Sequence, residues 1–215
     1  TSTIASHLPK AVGTAFSIDR AKDLEIKERN LDKNSIVICS FGDASANHAS
    51  ALSAFNTASW ITNLGGHVPI IFLCEDNGTG ISVPTQDGWI KENFSNKTGI
   101  QYIQTDGLHL VDLVKKAKEA EKICRKQRCP IFLHMKTVRL MGHAGSDIEV
   151  GYKSLSDIEK TEFNDPLLHS ARIILEKECL TSSEILSLYE KTRKQISFVF
   201  DSAVLRPYLL KSEDV

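Results

Sequence analysis

Hydrophobic and polar positions follow two different patterns along the chain. Short runs rich in Ile, Val, Phe and Leu have the length of buried β-strands and lie at residues 36–41, 69–74, 100–104 and 130–138. Longer segments repeat apolar residues every three or four positions, as helices do, and lie at residues 8–27, 49–64 and 109–127. Strands that alternate with helices are typical of parallel sheets. We therefore predict an α/β fold, with a parallel β-sheet flanked by helices.

The last quarter of the chain has a different pattern, because apolar stripes at helical spacing continue from 157 to 210 without a strand between them. Asp165 and Pro166 are a typical helix start. The sequence TSSE at 181–184 is a capping box, in which Thr181 and Glu184 satisfy each other's backbone N–H groups. We predict a helical extension over 153–210, suited to packing on the preceding domain or on a partner, and a linker over 211–215.

Polar residues follow the first two predicted strands where each strand ends. Gly42 and Asp43 follow the first strand, and Asn77 follows the second. Because parallel strands bring their carboxyl ends to one sheet edge, we expect these side chains to meet there. A carboxylate, an amide oxygen and a backbone carbonyl from the turn at 78–80 are hard oxygen ligands that suit Mg²⁺. Since Mg²⁺ completes its shell with water and phosphate, the sequence predicts a phosphorylated ligand.

The segment after Asp43 supports the same interpretation. Residues 44–47 are predicted to open a helix, and the free N–H groups of a helix N-terminus favour an anion. The predicted metal and helix would then hold the same diphosphate. Gly, Asp and Asn also form ordinary turns after strands, so these short motifs alone leave a purely structural turn open.

Three motifs in this order resemble a known family. Gly42 and Asp43, with Asn77 after a second apolar strand, are similar to the thiamine diphosphate signature. The sequence CEDNGTGISVPT at 74–85 resembles the alpha subunit of 2-oxo acid dehydrogenase E1 components. The sequence MKTVRLMGHAGSD at 135–147 is similar to that family's loop carrying an Arg and a His over the cofactor. The resemblance covers most of the chain.

This resemblance implies a role for each matching residue. The metal ligands would be Asp43, Asn77 and the carbonyl of Thr79. Arg139 would neutralise the diphosphate, and His143 would be the catalytic residue, passing a proton during transfer to lipoamide. For Ile81 the family pattern implies packing against the cofactor, with burial in the core as the structural alternative. The implied cofactor-binding residues are Gly42, Asp43, Ala44, Ser45, Asn77, Thr79, Ile81, Arg139 and His143.

The resemblance also implies a fold and a setting. The fold would be the thiamin diphosphate-binding fold, with residues 1–152 forming a diphosphate- and magnesium-binding domain that is incomplete at its N-terminus. The chain would be a fragment of a longer or fused alpha/beta E1 polypeptide, inactive by itself. Its partners would be a beta-type E1 domain or subunit that completes the active site and a lipoyl-bearing E2, within a dimer or heterotetramer.

The implied activity is that of an oxidoreductase, the oxidative decarboxylation of a 2-oxo acid with acyl transfer to lipoyl-E2. We favour branched-chain or broad 2-oxo acids over pyruvate. Two alternatives stay open. One is acetoin dehydrogenase or another thiamine diphosphate enzyme, which shares the metal motif. The other is a non-catalytic assembly fragment that keeps the fold.

Composition narrows the remaining choices. The formal net charge of −1 gives no reason to expect nucleic acid or an anionic membrane as a partner. No apolar run approaches the ~18–20 residues that span a bilayer. The 5 cysteines are odd in number and scattered, which favours unligated thiols in a reducing compartment. We therefore predict a location in the bacterial cytoplasm or the mitochondrial matrix.

Overall fold

A computed structural model describes residues 3–28, 30–211 and 213. The chain divides into two compact units, Thr1–Leu168 and His169–Val215. The predicted boundary after residue 152 stays a prediction. Residues 212, 214 and 215 of the predicted linker lie outside the described residues.

A four-stranded parallel sheet, ordered β1-β2-β6-β5, forms the centre of the first unit. A two-stranded antiparallel ribbon, β3 with β4, follows β2. The fold class predicted from the apolar pattern, a parallel sheet flanked by helices, is confirmed. The strands are β1 Val37–Gly42, β2 Ile70–Asp76, β3 Thr79–Gly80, β4 Val83–Pro84, β5 Gln101–Asp106 and β6 Ile131–Lys136.

Helices connect the strands and continue beyond the last one. Two short 3-10 helices cover Asp43–Asn47 and Glu149–Gly151. The α-helices are α1 His7–Asp23, α2 Ala49–Asn63, α3 Trp89–Phe94, α4 Leu110–Gln127, α5 Leu155–Glu162, α6 Pro166–Glu176 and α7 Ser182–Val204. Among the described residues, no helix is both long and apolar enough to cross a bilayer.

The sheet has an apolar core on each face, because successive strand residues point to opposite sides. Phe72 belongs to a cluster with residues of α1, α2 and α3, whereas its neighbour Ile71 belongs to a cluster with Ala120 and Cys124 of α4. Aromatic rings fill the first cluster, and Phe132 stacks on Phe94 with ring centroids 4.2 Å apart. Both faces of the sheet are therefore packed against helices. The loops at its carboxyl edge start from this packed sheet.

Several element boundaries differ from the sequence-based prediction. Helix α1 ends at Asp23 instead of 27, β6 ends at Lys136 instead of 138, and two further differences follow β1 and β2. The predicted helix at 44–47 is a 3-10 helix, and the α-helix begins only at Ala49, because His48 is extended and its Nδ1 accepts from Ser50 N at 3.2 Å. Strand β2 continues past the predicted end at 74, because its pairing with β6 extends through Asp76 and Lys136. Asp76 is therefore a sheet residue and not part of the turn.

The capping box of α7 is confirmed. Glu184 N donates to Thr181 Oγ1 at 3.3 Å, and Thr181 N donates to Glu184 Oε2 at 2.8 Å. The predicted start of α6 at Pro166 is also confirmed.

Candidate functional site

A cavity of about 590 Å³ lies at the carboxyl edge of the sheet. All nine residues that the sequence assigned to the cofactor line it, although they come from three separate segments of the chain. The structure therefore brings together every predicted site residue. The lining residues are Ile4, Gly42, Asp43, Ala44, Ser45, Asn47, His48, Asn77, Thr79, Gly80, Ile81, Arg139 and His143.

Asp43 is held at the floor of this cavity. It is the first residue of the 3-10 helix after β1 and is only 3% exposed. Thr85 Oγ1 donates to Asp43 Oδ2 at 2.5 Å. A Cβ on Gly80 would lie 2.8 Å from the Cβ of Ala44, so only glycine lets the β3–β4 ribbon approach the 3-10 helix this closely. The carboxylate of Asp43 is thus fixed from the ribbon side.

The turn after β2 is closed by its own hydrogen bonds. Thr79 N donates to Asn77 Oδ1 at 3.0 Å, and Thr85 N donates to the carbonyl of Gly78 at 3.0 Å. Gly78 has a φ of 72°, a conformation that glycine adopts without steric cost. The turn therefore presents the Asn77 amide and the adjoining backbone to the cavity in a defined arrangement.

Ile81 has an unusual backbone conformation on the cavity wall. Its φ is 56°, which is a genuine outlier for a β-branched residue. Strain of this kind persists where the surrounding structure imposes it, and it clusters at functional sites. The side chain is 59% exposed, so the interpretation of Ile81 as a core residue is wrong.

The loop that carries Arg139 and His143 is braced internally. Arg139 Nη2 donates to Tyr152 Oη at 3.2 Å, and Tyr152 Oη donates to Asp147 Oδ2 at 2.9 Å. His143 N donates to the same Asp147 oxygen at 2.6 Å, and this bond, followed by that of Tyr152, lowers the pKa of the Asp147 carboxyl. A Cβ on Gly142 would lie 2.3 Å from the Asp147 carbonyl oxygen, so the loop needs glycine there.

Arg139 retains hydrogen-bonding capacity within this brace. Its Nε is buried and has no partner among the described residues. A buried guanidinium N–H without an acceptor is costly, and an anion in the adjoining cavity would satisfy it. This orphaned donor fits a ligand that carries phosphate. His143 is an exposed residue on the same cavity wall.

The oxygen donors fit a hard cation better than a soft one. Asp43, Asn77 and Thr79 line the same cavity, and the groups that these residues could offer to a cation are a carboxylate, an amide oxygen and a backbone carbonyl. Such oxygens suit Mg²⁺, whereas zinc sites use Cys and His. Within the described parts of the chain, no group of three or more His, Cys, Asp and Glu side chains is placed to hold a metal.

A chain of polar side chains behind the turn, with His134 and Asp76 buried, was not predicted from the sequence. His134, inside the apolar run of β6, places Nδ1 2.6 Å from Tyr102 Oη and Nε2 2.7 Å from Asp76 Oδ2. Lys136 Nζ lies 2.8 Å from that same Asp76 oxygen. Burial acts to raise the pKa of Asp76, but the hydrogen bonds from Lys136 and His134 outweigh it and lower the pKa. A histidine within an apolar strand was the available signal.

Comparison with known proteins identifies the family. A family model described as "Dehydrogenase E1 component" matches residues 3–209. The chain belongs to this family. The resemblance to E1 alpha subunits inferred from the three motifs is confirmed, whereas the roles of the individual site residues stay predictions.

Several curated relatives of this E1 family member are alpha subunits. The chain is 28% identical over 209 residues to the mitochondrial 2-oxoisovalerate dehydrogenase subunit alpha of Caenorhabditis elegans, covering 95% of this chain and 45% of that protein. Identity to the human protein of the same name is 26% over 210 residues, covering 96% and 44%. The mitochondrial pyruvate dehydrogenase E1 component subunit alpha of Dictyostelium discoideum is 26% identical over 207 residues, covering 95% and 51%.

The chain spans about half the length of these relatives. Among solved structures, a transketolase from Leishmania mexicana aligns with a TM-score of 0.48 at 15% identity, covering 94% of this chain and 32% of that one.

Proposed function

We propose that this chain is the alpha-type portion of a 2-oxo acid dehydrogenase E1 component that works with thiamine diphosphate and Mg²⁺. Its reaction is the oxidative decarboxylation of a 2-oxo acid, followed by acyl transfer to a lipoyl-bearing E2. One observation carries the proposal. The residues that the family pattern assigns to the cofactor all line a single cavity at the carboxyl edge of the sheet.

The metal would be held by the oxygens at the floor of this cavity. Asp43 and Asn77 would bind Mg²⁺ through their side chains, and Thr79 would bind it through its carbonyl. Thr85 orients the Asp43 carboxylate by donating to one of its oxygens, and the other oxygen has no protein donor among the described residues. Water and the diphosphate would complete the shell.

Arg139 would bind the diphosphate. Its buried Nε donor has no partner in the described structure, and pairing with a phosphate oxygen would supply one. Thiamine diphosphate, when bound, supplies the electron sink for decarboxylation. Ile81 would present its exposed side chain to the organic part of the cofactor, and the backbone N–H groups near Ala44 and Ser45 would face the anion.

His143 is the proposed proton carrier. It stands on the cavity wall, exposed, and its backbone N–H is fixed by Asp147. An imidazole at this place can take or give a proton at the reacting atoms during transfer to lipoamide. Because the loop brace runs through Asp147 and Tyr152, the same contacts hold Arg139 and His143 on one cavity wall.

The substrate and setting are proposed from the relatives. Branched-chain or broad 2-oxo acids are favoured over pyruvate, and proteins named for each type are among the relatives. A beta-type E1 domain or subunit would complete the active site, within a dimer or heterotetramer. The mitochondrial matrix is the proposed location, because the names of the relatives describe those proteins as mitochondrial, and the cytoplasm is the proposed location in a bacterium.

Calorimetric titration tests this proposal. Thiamine diphosphate with Mg²⁺ is titrated into the chain alone and into the chain mixed with a beta-type E1 subunit. Asp43→Ala tests the metal site, and Asp201→Ala removes an exposed carboxylate of α7 as the matched control. We expect weak binding at best by the chain alone, tighter binding with the beta-type subunit, and loss of binding in Asp43→Ala only.

Two binding results would contradict the proposal. The first is no binding in either form, which would leave an assembly role for this fold. The second is equal binding by Asp43→Ala and the wild type, which would remove the proposed metal ligand. Decarboxylation of a 2-oxo acid by the isolated chain would contradict the expected need for a beta-type partner.

A further inference from the structure

A row of polar groups, of which His134 and Asp76 are buried, crosses three strands behind the candidate site. It begins at Tyr102 on β5, continues through His134 on β6 and ends at Asp76 on β2, where Lys136 of β6 joins it. His134 is 1% exposed and Asp76 is 5% exposed. Because an ionised carboxylate only accepts hydrogen bonds, His134 Nε2 carries a proton and donates to Asp76. On the other side of the ring, His134 Nδ1 and Tyr102 Oη share a hydrogen bond of 2.6 Å.

Asp76 connects this row to the site. Gly78 N donates to Asp76 Oδ1 at 3.2 Å, while the opposite oxygen, Oδ2, is held by His134 and Lys136. The two carboxylate oxygens of Asp76 therefore bind different elements. One binds the turn, and the other is anchored in the sheet. Asp76 also lines, together with Asp43 and Thr85, a smaller cavity of about 230 Å³ next to the main one.

Stability alone does not account for this arrangement. Replacing a buried ion pair by well-packed apolar residues is often neutral or stabilising, so polar groups in a sheet interior are weak evidence for stability. Satisfied buried networks do, however, fix one geometry, because each partner loses its hydrogen bonds when it moves. Through Asp76, this network is hydrogen-bonded to the turn that carries Asn77 and Thr79.

We propose that the row Tyr102–His134–Asp76–Lys136 is a positioning network that fixes the turn at 77–79. This inference rests on the proposed function in one respect, which is that the turn supplies two of the ligand oxygens. The network acts through Asp76 and the Gly78 amide, and it touches neither metal nor cofactor. The network holds the turn after β2, and with it Asn77 and Thr79, in the arrangement that metal binding needs. Hydrogen-bond partners behind other metal ligands orient those ligands in the same way.

Two substitutions weaken the network far from the turn. Tyr102→Phe removes only the terminal hydroxyl and keeps the ring that stacks on Phe132. His134→Gln removes the imidazole that anchors Asp76. The matched control is Thr105→Val, which removes a hydroxyl bonded to Asp112 Oδ2 at 2.9 Å, on the same strand as Tyr102 and outside the network.

Amide hydrogen exchange of the full chain is the first measurement and needs no ligand. In His134→Gln we expect the amides of Gly78 and Thr79 to exchange at least about fivefold faster, while amides of α2 keep their protection. Tyr102→Phe should give a smaller change at the same amides. The inference is overturned if the turn amides are unchanged in His134→Gln, or if Thr105→Val accelerates them equally.

Binding of Mg²⁺ with thiamine diphosphate, in the presence of a beta-type E1 subunit, is the second measurement. His134→Gln should weaken it about tenfold, the usual order for loss of an outer partner, and Thr105→Val should leave it unchanged. If the wild type binds nothing, the proposed function fails, and hydrogen exchange still decides whether the network holds the turn.

Discussion

The two compact units use their apolar residues in opposite ways. In the sheet unit, Phe55, Phe72 and Phe132 are completely buried. In the second unit, no residue among 169–211 and 213 is buried, and Phe198 on α7 is 71% exposed. Both regions show apolar stripes at regular spacing. The spacing of apolar residues thus predicts the helices and strands of both units. It does not determine whether the apolar side chains are buried.

The difference has an energetic consequence. Strands and helices of the sheet unit are stabilised by burial, which contributes roughly 25 cal/mol for each Å² of apolar surface removed from water. Helix α7 has no buried residue, so its order rests more on local terms such as its capping box. Substitutions should therefore act through packing in the first unit and through local backbone terms in the second.

The largest expected effect tests packing. Phe132→Ala removes a buried ring that contacts Phe41, Phe55 and Phe94, and we expect it to lower the free energy of unfolding by about 3–5 kcal/mol. Phe198→Ala is the matched substitution on α7 and should change it by less than about 0.5 kcal/mol. Urea denaturation measures both. Equal losses would show that the stripe of α7 is packed in solution and would remove the contrast.

An alkaline titration tests burial in the sheet unit. Burial raises the pKa of Tyr102 from 10.0 to about 12, with smaller contributions from Cys74 and Asp76. Because the folded pKa is the higher one, the contribution of Tyr102 to stability is complete below pH 10 and is lost as the pH rises toward 12. We expect a loss of about 1–2 kcal/mol after allowance for partial exposure. The difference in the free energy of unfolding between Tyr102→Phe and the wild type, measured from about pH 9 to 12, gives the contribution of Tyr102. Parallel curves for the two proteins would contradict the prediction.

A cap substitution tests the local terms in the second unit. Thr181→Ala removes the side-chain acceptor of the capping box and should destabilise α7 by about 1 kcal/mol. Faster hydrogen exchange in the first turn of α7 measures the effect. Ser154→Ala removes the corresponding cap of α5 and serves as a comparison. An unchanged first turn in Thr181→Ala would mean that α7 is held by something other than its cap.

The smallest expected effect is a gain from propensity within the sheet unit. Gly13 lies in α1, is exposed, and a Cβ there would meet nothing within 4 Å. Gly13→Ala should raise the free energy of unfolding by about 0.5–1 kcal/mol, because alanine loses less backbone freedom on folding. Gly99→Ala is the contrasting control, since its Cβ would lie 2.7 Å from the Ser59 carbonyl oxygen and should destabilise the fold. Thermal unfolding distinguishes the two, and a loss of stability in Gly13→Ala would contradict the prediction.

Much of the fold and the candidate site could be predicted from local pattern. The four sheet strands were found because apolar runs are bounded by turn residues, and the capping box at Thr181 has a short-range signature. The proximity of Asp43 and Asn77 could be predicted because the carboxyl ends of parallel strands lie at the same edge of a sheet. The start of α2 at Ala49 agrees with the predicted helix at 49–64, whereas the helix predicted at 44–47 is a separate 3-10 helix, because His48 is extended and its side chain accepts from Ser50 N.

What the sequence by itself determined is the order of strands and helices, their approximate bounds and the residues at the sheet edge. Those features depend on local spacing and on chain connectivity. Only the tertiary structure decided the sheet order β1-β2-β6-β5, which places His134 between Asp76 and Tyr102. It also decided the strained φ of Ile81 and the orphaned Nε of Arg139. These depend on contacts between residues distant in sequence, which no local pattern encodes.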